Sequence, residues 1–281
     1  MQSNLDSKTV EGFGEEWSRF DQSEMGEIEV AEQFDRYFKV FSWDELPADA
    51  VGFDMGCGSG RWASIAADRC GKLFCIDASD KALAVAKRNL SSKNNVEFRH
   101  ASVDNIPLED NSMDFGYSLG VLHHIPDTRQ GIASCVKKLK PGAPFLVYLY
   151  YAFDNRPAWF RAAWKASDFF RRIISSLPFG LKTAVTDLIA VLIYFPLATM
   201  SSLLERLGFD VDAVPLSTYR KHSFYTMRTD ALDRFGTQLE NRFTQKEISE
   251  MMMAAGLENI EFSDSTPYWC AVGFRKAALQ Q

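Results

Sequence analysis

Val-Gly-Phe-Asp-Met-Gly-Cys-Gly-Ser-Gly-Arg-Trp, residues 51–62, is the stretch that decides how this chain folds. An apolar run ends at Asp54, and glycines then alternate with other residues before a helical pattern begins at Arg61. This order predicts a strand, a tight turn and the start of a helix. Because glycine has no Cβ, such a turn can take positive φ and can let a ligand approach the main chain. The turn is therefore the predicted ligand-binding element.

Strand and helix patterns alternate after the glycine turn. A helix over 61–69, a helix capped by Ser79 and a helix over 128–139 are predicted, and the stop signals Pro141 and Gly142 follow the last of these. The predicted strands between and after them are 73–76, 96–100, 114–118 and 145–151. Strands that alternate with helices indicate βαβ units, and hence a parallel sheet with helices on both faces.

The C-terminal part predicts one reversed strand. Thr244 and Glu247 have capping-box spacing at the head of a helix that runs to about Ala255. Strands over 257–263 and 268–275 follow, separated by a turn around Pro267. A parallel connection needs about a dozen residues or more, so these two strands must be antiparallel neighbours. The predicted fold class is α/β with a mostly parallel sheet.

Composition limits the classes of partner. With 281 residues, 46% hydrophobic, 24% charged and a net charge of -6, the chain is typical of a soluble protein and has no field that would attract nucleic acid. The five scattered cysteines form no C-x-x-C pair. We interpret Cys57 as a small residue that fills a tight turn, because the sequence implies no base near it for a catalytic thiol. The polar N-terminus lacks the apolar core of a signal peptide, which favours a reducing cytoplasm.

Residues 1–50 are predicted to form a helical segment. Aromatic and aliphatic residues recur there among many acidic ones, which is typical of helices that pack on a domain. The alternative is that Trp17 and Phe20 belong to a flap over the ligand.

In order and spacing, residues 50–151 and 244–276 resemble a class I S-adenosylmethionine-dependent methyltransferase of the small-molecule type, such as the ubiquinone and menaquinone biosynthesis enzymes. The resemblance rests on Asp54 with the three glycines, Asp77 at the end of the second strand, Asp104 after the third strand, and the segment 114–127. It implies a Rossmann-like, doubly wound, seven-stranded sheet with one antiparallel strand. The domain organisation that follows is an N-terminal segment 1–50, a core of 51–151 and 244–281, and a mainly helical insertion over 152–243.

The resemblance also implies which residues bind S-adenosylmethionine. The glycine turn would hold the methionine part, and Asp77 with its neighbour Ala78 would contact the ribose hydroxyls. Asp104 would accept a hydrogen bond from the adenine amino group, with Val103 and Ile106 against the ring. The implied cofactor-binding set is Asp54, Gly56, Cys57, Gly58, Gly60, Asp77, Ala78, Val103, Asp104, Ser118 and Leu119. The competing interpretation of the carboxylates is that they are solvated loop acids or helix caps.

Two other classes of protein compete with a methyltransferase. A nicotinamide-dependent dehydrogenase also has a glycine-rich turn, but its fingerprint is G-x-G-x-x-G, whereas this chain has G-x-G-x-G preceded by Asp54. A carboxylate at that position would lie near a pyrophosphate but is harmless beside an ammonium and a sulfonium, so electrostatics favour the methyl donor. The other alternative is a protein that binds S-adenosylmethionine without turnover.

Residues 152–243 are predicted to decide the methyl acceptor. Aromatic residues between 159 and 170 interleave with Arg and Lys, and 188–197 is almost wholly apolar. We interpret this run as a buried helix, too short to span a membrane, and contact of 159–200 with a membrane surface or a lipid-like acceptor is the alternative. The polar and aromatic segment 219–228 is predicted either to bind the acceptor or to pair with Asp230, Asp233 and Glu240.

Methyl transfer needs alignment, and it needs a base only where the acceptor is a hydroxyl or an ammonium group. His124 and His123 follow the fourth strand and are the first candidates for that base, while His222 and Tyr219 are the candidates from the insertion. The alternative is that the two adjacent histidines only hydrogen-bond their loop. We expect a small, aromatic or amphiphilic acceptor, O- or N-methylation and no metal. The sequence leaves the oligomeric state open.

Overall fold

A computed structural model describes residues 3–211 and 214–277. Its sheet has seven strands in the order β3-β2-β1-β4-β5-β7-β6. β7 runs antiparallel to β5 and β6, and the other pairs are parallel, so the predicted fold class with one reversed strand is confirmed. The strands are β1 Val51–Met55, β2 Lys72–Asp77, β3 Val96–His100, β4 Phe115–Leu119, β5 Pro144–Tyr148, β6 Leu257–Phe262 and β7 Cys270–Arg275.

Helices connect the strands and form a separate group after β5. They are α1 Ser7–Arg19, α2 Glu27–Tyr37, α3 Ala63–Ala66, α4 Asp80–Asn89, α5 Thr128–Val136, α6 Ala158–Ser175, α7 Phe179–Ile189, α8 Phe195–Arg206, α9 Phe224–Gly236 and α10 Gln245–Ala254. The cap of α4 by Ser79 and the capping box of α10 are confirmed. The helix predicted over 61–69 is instead the four-residue α3 followed by a 3-10 turn, Ala67–Arg69.

The chain divides into two compact units. Unit 1 contains the residues up to Asp21, Val30–Asp154 and the residues from Leu239 onwards, and it holds the whole sheet. Unit 2 contains Gln22–Glu29 and Asn155–Gln238 and is helical.

Two glycine–phenylalanine pairs fix the register of β1 against β4. Gly52 lies opposite Phe115 and Phe53 lies opposite Gly116. A Cβ on Gly52 would lie 2.2 Å from the Phe115 ring, and a Cβ on Gly116 would lie 2.4 Å from the Phe53 ring. Phe53 and Phe115 belong to the two separate apolar clusters that the sheet contacts. Each phenylalanine ring therefore occupies the space that the opposite glycine leaves because it has no Cβ. A shift of the strand register by one residue would remove both contacts.

The Gly52→Ala variant is expected to be less stable by about 1–3 kcal/mol, the usual cost of adding volume to a packed core. Urea unfolding measures this change in the free energy of unfolding. Gly12→Ala in α1 is the matched control, since its Cβ meets nothing within 4 Å. The control should be unchanged or more stable by about 0.5–1 kcal/mol. Equal stability of Gly52→Ala and the wild-type protein would contradict the close packing.

In unit 2, α7 and α8 form one continuous helix, Phe179–Arg206, through a π-helical turn at Ala190–Tyr194. Pro196 is the second residue of α8, so the proline does not end the helix. By length and composition alone this helix could cross a membrane, with a mean hydropathy of 1.8 over its most apolar window and 22% of that window buried. The buried positions form one stripe: Thr183, Thr186, Ala190, Tyr194, Ala198 and Ser201.

The interpretation of residues 188–197 as a buried helix is wrong for most of the run. Leu188, Leu192 and Phe195 are 56%, 63% and 50% exposed. The physical reason is that α9 and the 3-10 turn Ser217–Lys221 pack along one side of this helix only.

Candidate active site

The glycine turn has the backbone that its sequence predicts. Gly56, Gly58 and Gly60 have φ of 82°, 53° and 81°, in the left-handed region that favours glycine. The backbone amides of Gly56 and Cys57 donate to the carbonyl oxygen of Ile76, at 2.7 and 3.1 Å. These bonds attach the turn to the end of β2.

Asp77 links β2 to the glycine turn. One carboxylate oxygen accepts from the Gly58 amide at 2.9 Å, and the other accepts from the Ser79 amide at 2.8 Å. Burial raises the pKa of this carboxyl, and the two amide donors partly offset the rise. Asp77 is therefore more than a solvated loop acid, because it orders the turn that is predicted to hold the ligand.

The remaining residues of the predicted cofactor set lie at or after the carboxyl ends of β2, β3 and β4. The Ser118 hydroxyl is buried and donates to the carbonyl oxygen of Met55 at 2.8 Å, which joins the ends of β4 and β1. Leu119 and Val103 are buried, and the Ala78 carbonyl lies 2.9 Å from His100 Nε2. The pKa of the Cys57 thiol is well above its usual value because of its hydrogen bond with Cys75 and its burial, which fits a space-filling residue.

Asp104 contacts the N-terminal segment. Its carboxylate accepts from the Asn4 backbone amide at 2.6 Å and from the Ser3 hydroxyl at 3.3 Å. It belongs to a 3-10 turn, Val103–Asn105, where a plain loop was predicted.

The topology brings these groups to one edge of the sheet. β1, β2, β4 and β5 are parallel, so their carboxyl ends share that edge. Following the sequence, the chain first adds β2 and β3 on one side of β1 and then adds β4 and β5 on its other side. In open α/β sheets, ligands bind outside the carboxyl ends of the strands at such a switch point.

His123 and His124 lie in the 3-10 turn Leu122–His124 that follows β4, and both are buried. The Nδ1 atom of His124 lies 2.7 Å from the carbonyl oxygen of Leu239. A carbonyl can only accept, so Nδ1 carries the hydrogen and Nε2 of the neutral ring carries the lone pair. His124 therefore has a defined tautomer with Nε2 as its basic nitrogen.

His123 is held by ring contacts. It stacks on Tyr150 at 3.9 Å between ring centroids and lies 4.0 Å from the His124 ring. Within the described part of the chain, neither of its ring nitrogens has a hydrogen-bond partner. Burial lowers its pKa well below the usual range, and the charges of His124 and Arg242 lower it further. His123 is therefore neutral at neutral pH.

This histidine should make the fold sensitive to acid. Above about pH 6.5 the ring is neutral in both the folded and the unfolded chain, and below it only the unfolded chain takes up the proton. Stability should therefore fall as the pH decreases below about 6.5, by up to about 2 kcal/mol from this residue at pH 5. His123→Phe keeps an aromatic ring and removes the titration. Unfolding at pH 7.5 and 5 should show a smaller acid loss in the variant, and an identical loss would contradict the assignment.

Tyr150 and Arg242 lie beside the two histidines and were not among the site residues that the sequence predicts. The Arg242 guanidinium lies 4.9 Å from the centre of the Tyr150 ring and pairs with Glu240 at 2.7 Å. Backbone bonds hold the segment 239–243 beside the site, from Asn241 to the His123 carbonyl and from Phe243 to the Tyr150 carbonyl. About ninety residues separate Tyr150 from Arg242 in the chain, so no local pattern links them.

Helix α1 contributes aromatic rings to the same region of unit 1. The Phe13 ring lies 4.9 Å from the His124 ring, and a Cβ on Gly58 would lie 3.0 Å from Trp17 Nε1. α1 also packs on α4, since a Cβ on Gly14 would lie 2.5 Å from Ser79 Oγ. Trp17 therefore fits both interpretations of the N-terminal segment, since it lies on a packed helix and contacts the glycine turn. Phe20 is 2% exposed and fits the packed helix.

The comparisons with known proteins agree with this geometry. Residues 53–147 match the methyltransferase domain family. Phosphoethanolamine N-methyltransferase 2 of Caenorhabditis elegans is 34% identical over 100 residues, which cover 34% of this chain and 23% of that protein. Ubiquinone biosynthesis O-methyltransferase of Nitrosospira multiformis is 32% identical over 105 residues, covering 37% and 42%. Residues 53–147 thus form a methyltransferase domain of the class I S-adenosylmethionine-dependent type.

A solved structure extends the likeness of fold beyond the matched residues. Haemonchus contortus phosphoethanolamine N-methyltransferase 2, in complex with phosphomonomethylethanolamine and S-adenosylhomocysteine, has a TM-score of 0.50 at 17% identity. The likeness covers 92% of this chain and 44% of that one. The matched segments span less than half the length of the two curated relatives.

The carboxyl group of Asp54 is buried where a positively charged ligand would stabilise its ionised form. It is 1% exposed, lies one residue before the end of β1 and has the buried Tyr117 hydroxyl as a hydrogen-bonding neighbour. Burial raises its pKa well above the usual value, the hydrogen bond with Tyr117 partly offsets the rise, and the charge of Asp77 adds to it. A buried carboxylate without a counter-charge is costly, and a positively charged ligand would relieve that cost. The site therefore fits a ligand that carries an ammonium and a sulfonium group.

The candidates from the insertion lie together in unit 2. The Tyr219 hydroxyl donates to Asp230 at 2.8 Å, and the Tyr219 ring lies 5.6 Å from the His222 ring. Arg220 pairs with Glu205 and Arg228 pairs with Asp187. The segment 219–228 is thus paired with acidic residues of its own unit, including Asp230. Among the described residues, no group of three or more His, Cys, Asp and Glu side chains could hold a metal ion.

Proposed function

We propose that the chain is a methyltransferase that binds S-adenosylmethionine at the glycine turn and transfers its methyl group to an oxygen or nitrogen atom of a small acceptor. The observation that carries this proposal is the buried Asp54 carboxyl group, which lies in β1 two residues before Gly56 of the turn. It is accompanied by Asp77, which is bonded to Gly58 in the same turn. Two carboxylates at one turn favour a cationic ligand over a pyrophosphate.

Each part of the cofactor would contact different residues. Asp54 would compensate the positive charge, and Asp77 would accept from the ribose hydroxyls beside Ala78. Val103 and Ile106 would pack on the adenine ring, with Asp104 near its amino group. Once bound, S-adenosylmethionine supplies a methyl group on a positively charged sulfur. The residues of the chain then have to orient the acceptor, exclude water and receive a proton.

His124 is the proposed base. Its hydrogen bond to the Leu239 carbonyl fixes Nε2 as the basic nitrogen and stabilises the ring after protonation. An acceptor hydroxyl would lose its proton to Nε2 as it attacks, and an acceptor ammonium would lose it before its nitrogen lone pair can attack. As the oxygen or nitrogen forms its bond to the methyl carbon, the bond from that carbon to sulfur would break, and its electron pair would stay on the sulfur of S-adenosylhomocysteine. We assign His123 a positioning role, because it is buried, stacks on Tyr150 and contacts the His124 ring. A catalytic role for Tyr219 and His222 stays a prediction.

The acceptor is proposed to be small and aromatic or anionic. Rings of Tyr148, Tyr150 and His123 lie close together in unit 1, and the Arg242 guanidinium lies over Tyr150. Aromatic faces suit a ring or an ammonium group, and an arginine suits a phosphate or a phenolate. The names of the relatives include both a phosphoethanolamine and a ubiquinone-type activity. A lipid-like or membrane-associated acceptor is the second candidate. The cytoplasmic location of the protein stays a prediction.

An acceptor panel tests the proposal. The purified protein is incubated with methyl-labelled S-adenosylmethionine and with phosphoethanolamine, a catechol, a hydroxylated prenyl quinol or no acceptor. We expect label in one acceptor and none in the control. Tight binding of S-adenosylmethionine without transfer to any acceptor would favour a protein that binds the cofactor without turnover. Binding of a nicotinamide cofactor instead would favour the dehydrogenase.

A further inference from the structure

Unit 2 carries most of the large apolar side chains that the protein exposes. Of the seventeen such residues in the described part of the chain, sixteen belong to unit 2, and Met253 is the exception. Unit 2 contains only about a third of the chain. Soluble proteins rarely expose large apolar areas unless a partner or a membrane covers them. This concentration therefore marks unit 2 as a candidate interaction surface.

The outer face of the helix Phe179–Arg206 carries much of this apolar surface. We define this outer face by its exposed residues, namely Leu188, Val191, Leu192, Ile193, Phe195, Met200 and Leu203. No charged residue occurs between Asp187 and Glu205, a run of seventeen residues and about 26 Å of helix. The outer face is thus longer than a typical contact with one small ligand.

The acidic residues at both ends of this run form ion pairs with other elements of unit 2. Asp187 pairs with Arg228 of α9 at 2.9 Å, and Glu205 pairs with Arg220 at 2.8 Å. The opposite side of the helix packs on α9, which carries further charged residues. A helix with one apolar face and one face against charged residues is suited to lie along a bilayer rather than to cross it.

Helix α6 has a second interfacial pattern. Its exposed apolar residues recur at helical spacing, at Trp159, Ala162, Ala166, Phe169, Phe170 and Ile173. Arg161, Lys165 and Arg172 are also exposed and recur at helical spacing. A Trp- and Phe-rich stripe with Arg and Lys nearby is typical of helices that bind at the headgroup level of membranes.

Charge distinguishes a membrane from a second copy of the chain. Residues 155–238 contain eleven Arg and Lys against seven Asp and Glu, a net charge of +4, whereas the whole chain has -6. The other segment of unit 2, Gln22–Glu29, adds three glutamates, so that unit 2 as a whole has +1 and unit 1 has -7. A basic, apolar segment in an acidic protein is complementary to an anionic phospholipid surface, and each basic residue near such a surface adds to the attraction.

We propose that the outer face of the helix Phe179–Arg206, together with the apolar stripe of α6, docks unit 2 on bilayers that contain anionic phospholipids. The protein binds from one side, with these apolar residues in the headgroup region and Arg161 and Lys165 near lipid phosphates. This inference concerns a surface that the proposed function does not use, and it does not depend on methyl transfer.

Vesicle flotation tests the docking surface. The full chain is mixed with vesicles of phosphatidylcholine alone or with about a third phosphatidylglycerol, and the floated protein is measured at low and high salt. We expect flotation with the anionic vesicles, and at least tenfold less with Leu192→Asp/Leu203→Asp. Arg161→Ala/Lys165→Ala should reduce flotation at low salt and make it less sensitive to salt. Met253→Asp is the matched control, because Met253 is 49% exposed and lies in unit 1.

The outcomes separate this proposal from the others. Circular dichroism and S-adenosylhomocysteine binding of each variant report the fold and the cofactor site, so loss of flotation with both unchanged supports docking. If the wild-type protein does not float with anionic vesicles, the proposal is wrong whether or not the cofactor binds. If sedimentation velocity without lipid shows a dimer that Leu192→Asp/Leu203→Asp dissociates, a second copy covers this face and the proposal is also wrong.

Discussion

Asp77→Ala will bind S-adenosylhomocysteine about 10- to 100-fold more weakly than the wild-type protein. The estimate corresponds to the loss of charge-assisted hydrogen bonds worth about 1.5–3 kcal/mol, at about 1.4 kcal/mol for each tenfold change in affinity. The loss has a second source, because the Asp77 carboxylate also accepts from the Gly58 amide and so orders the glycine turn. Isothermal titration calorimetry measures the affinity.

Two further variants separate the charge of Asp77 from its other effects. Asp77→Asn keeps one oxygen acceptor and loses the charge, so it should have an intermediate affinity. Asp80→Ala is the matched control, since the Asp80 side chain is 78% exposed at the start of α4. Its affinity should stay within about twofold of wild type. Wild-type affinity in Asp77→Ala would remove Asp77 from the cofactor site.

His124→Gln will lower turnover by about 10²- to 10⁴-fold, the usual contribution of a positioned general base. Glutamine retains a hydrogen-bonding side chain for the Leu239 carbonyl but cannot take up a proton near neutral pH. The rate is measured with the acceptor that the wild-type enzyme methylates in the panel, at saturating S-adenosylmethionine. Affinity for S-adenosylhomocysteine should be unchanged, which distinguishes a loss of the base from a loss of the cofactor site. Normal turnover would leave His124 a structural role only.

Local signals in the sequence predicted much of the fold. The glycine turn, the Ser79 cap and the Thr244–Glu247 capping box depend on neighbours within a few residues, and each forms as expected. The short link between the last two strands was enough to predict the reversed strand. These features follow from backbone chemistry that distant contacts do not override.

The features that the sequence missed depend on distant contacts. The segment 239–243 returns beside Tyr150 and brings Arg242 over its ring, which no periodicity indicates. The helix Phe179–Arg206 continues past Pro196 because a π-helical turn precedes the proline, and it is buried along one stripe only. The residues of the candidate site were chosen from a family resemblance, and the structure adds physical reasons for Asp54, Asp77 and His124. Their roles stay predictions.

Titration of the purified protein with S-adenosylhomocysteine, S-adenosylmethionine and NAD⁺ tests the central claim most directly. The two carboxylates at the glycine turn predict binding of both sulfur ligands in the micromolar range and no measurable binding of NAD⁺. Absence of binding by either sulfur ligand, or binding of NAD⁺ in their place, would contradict the assignment of this turn to the methyl donor.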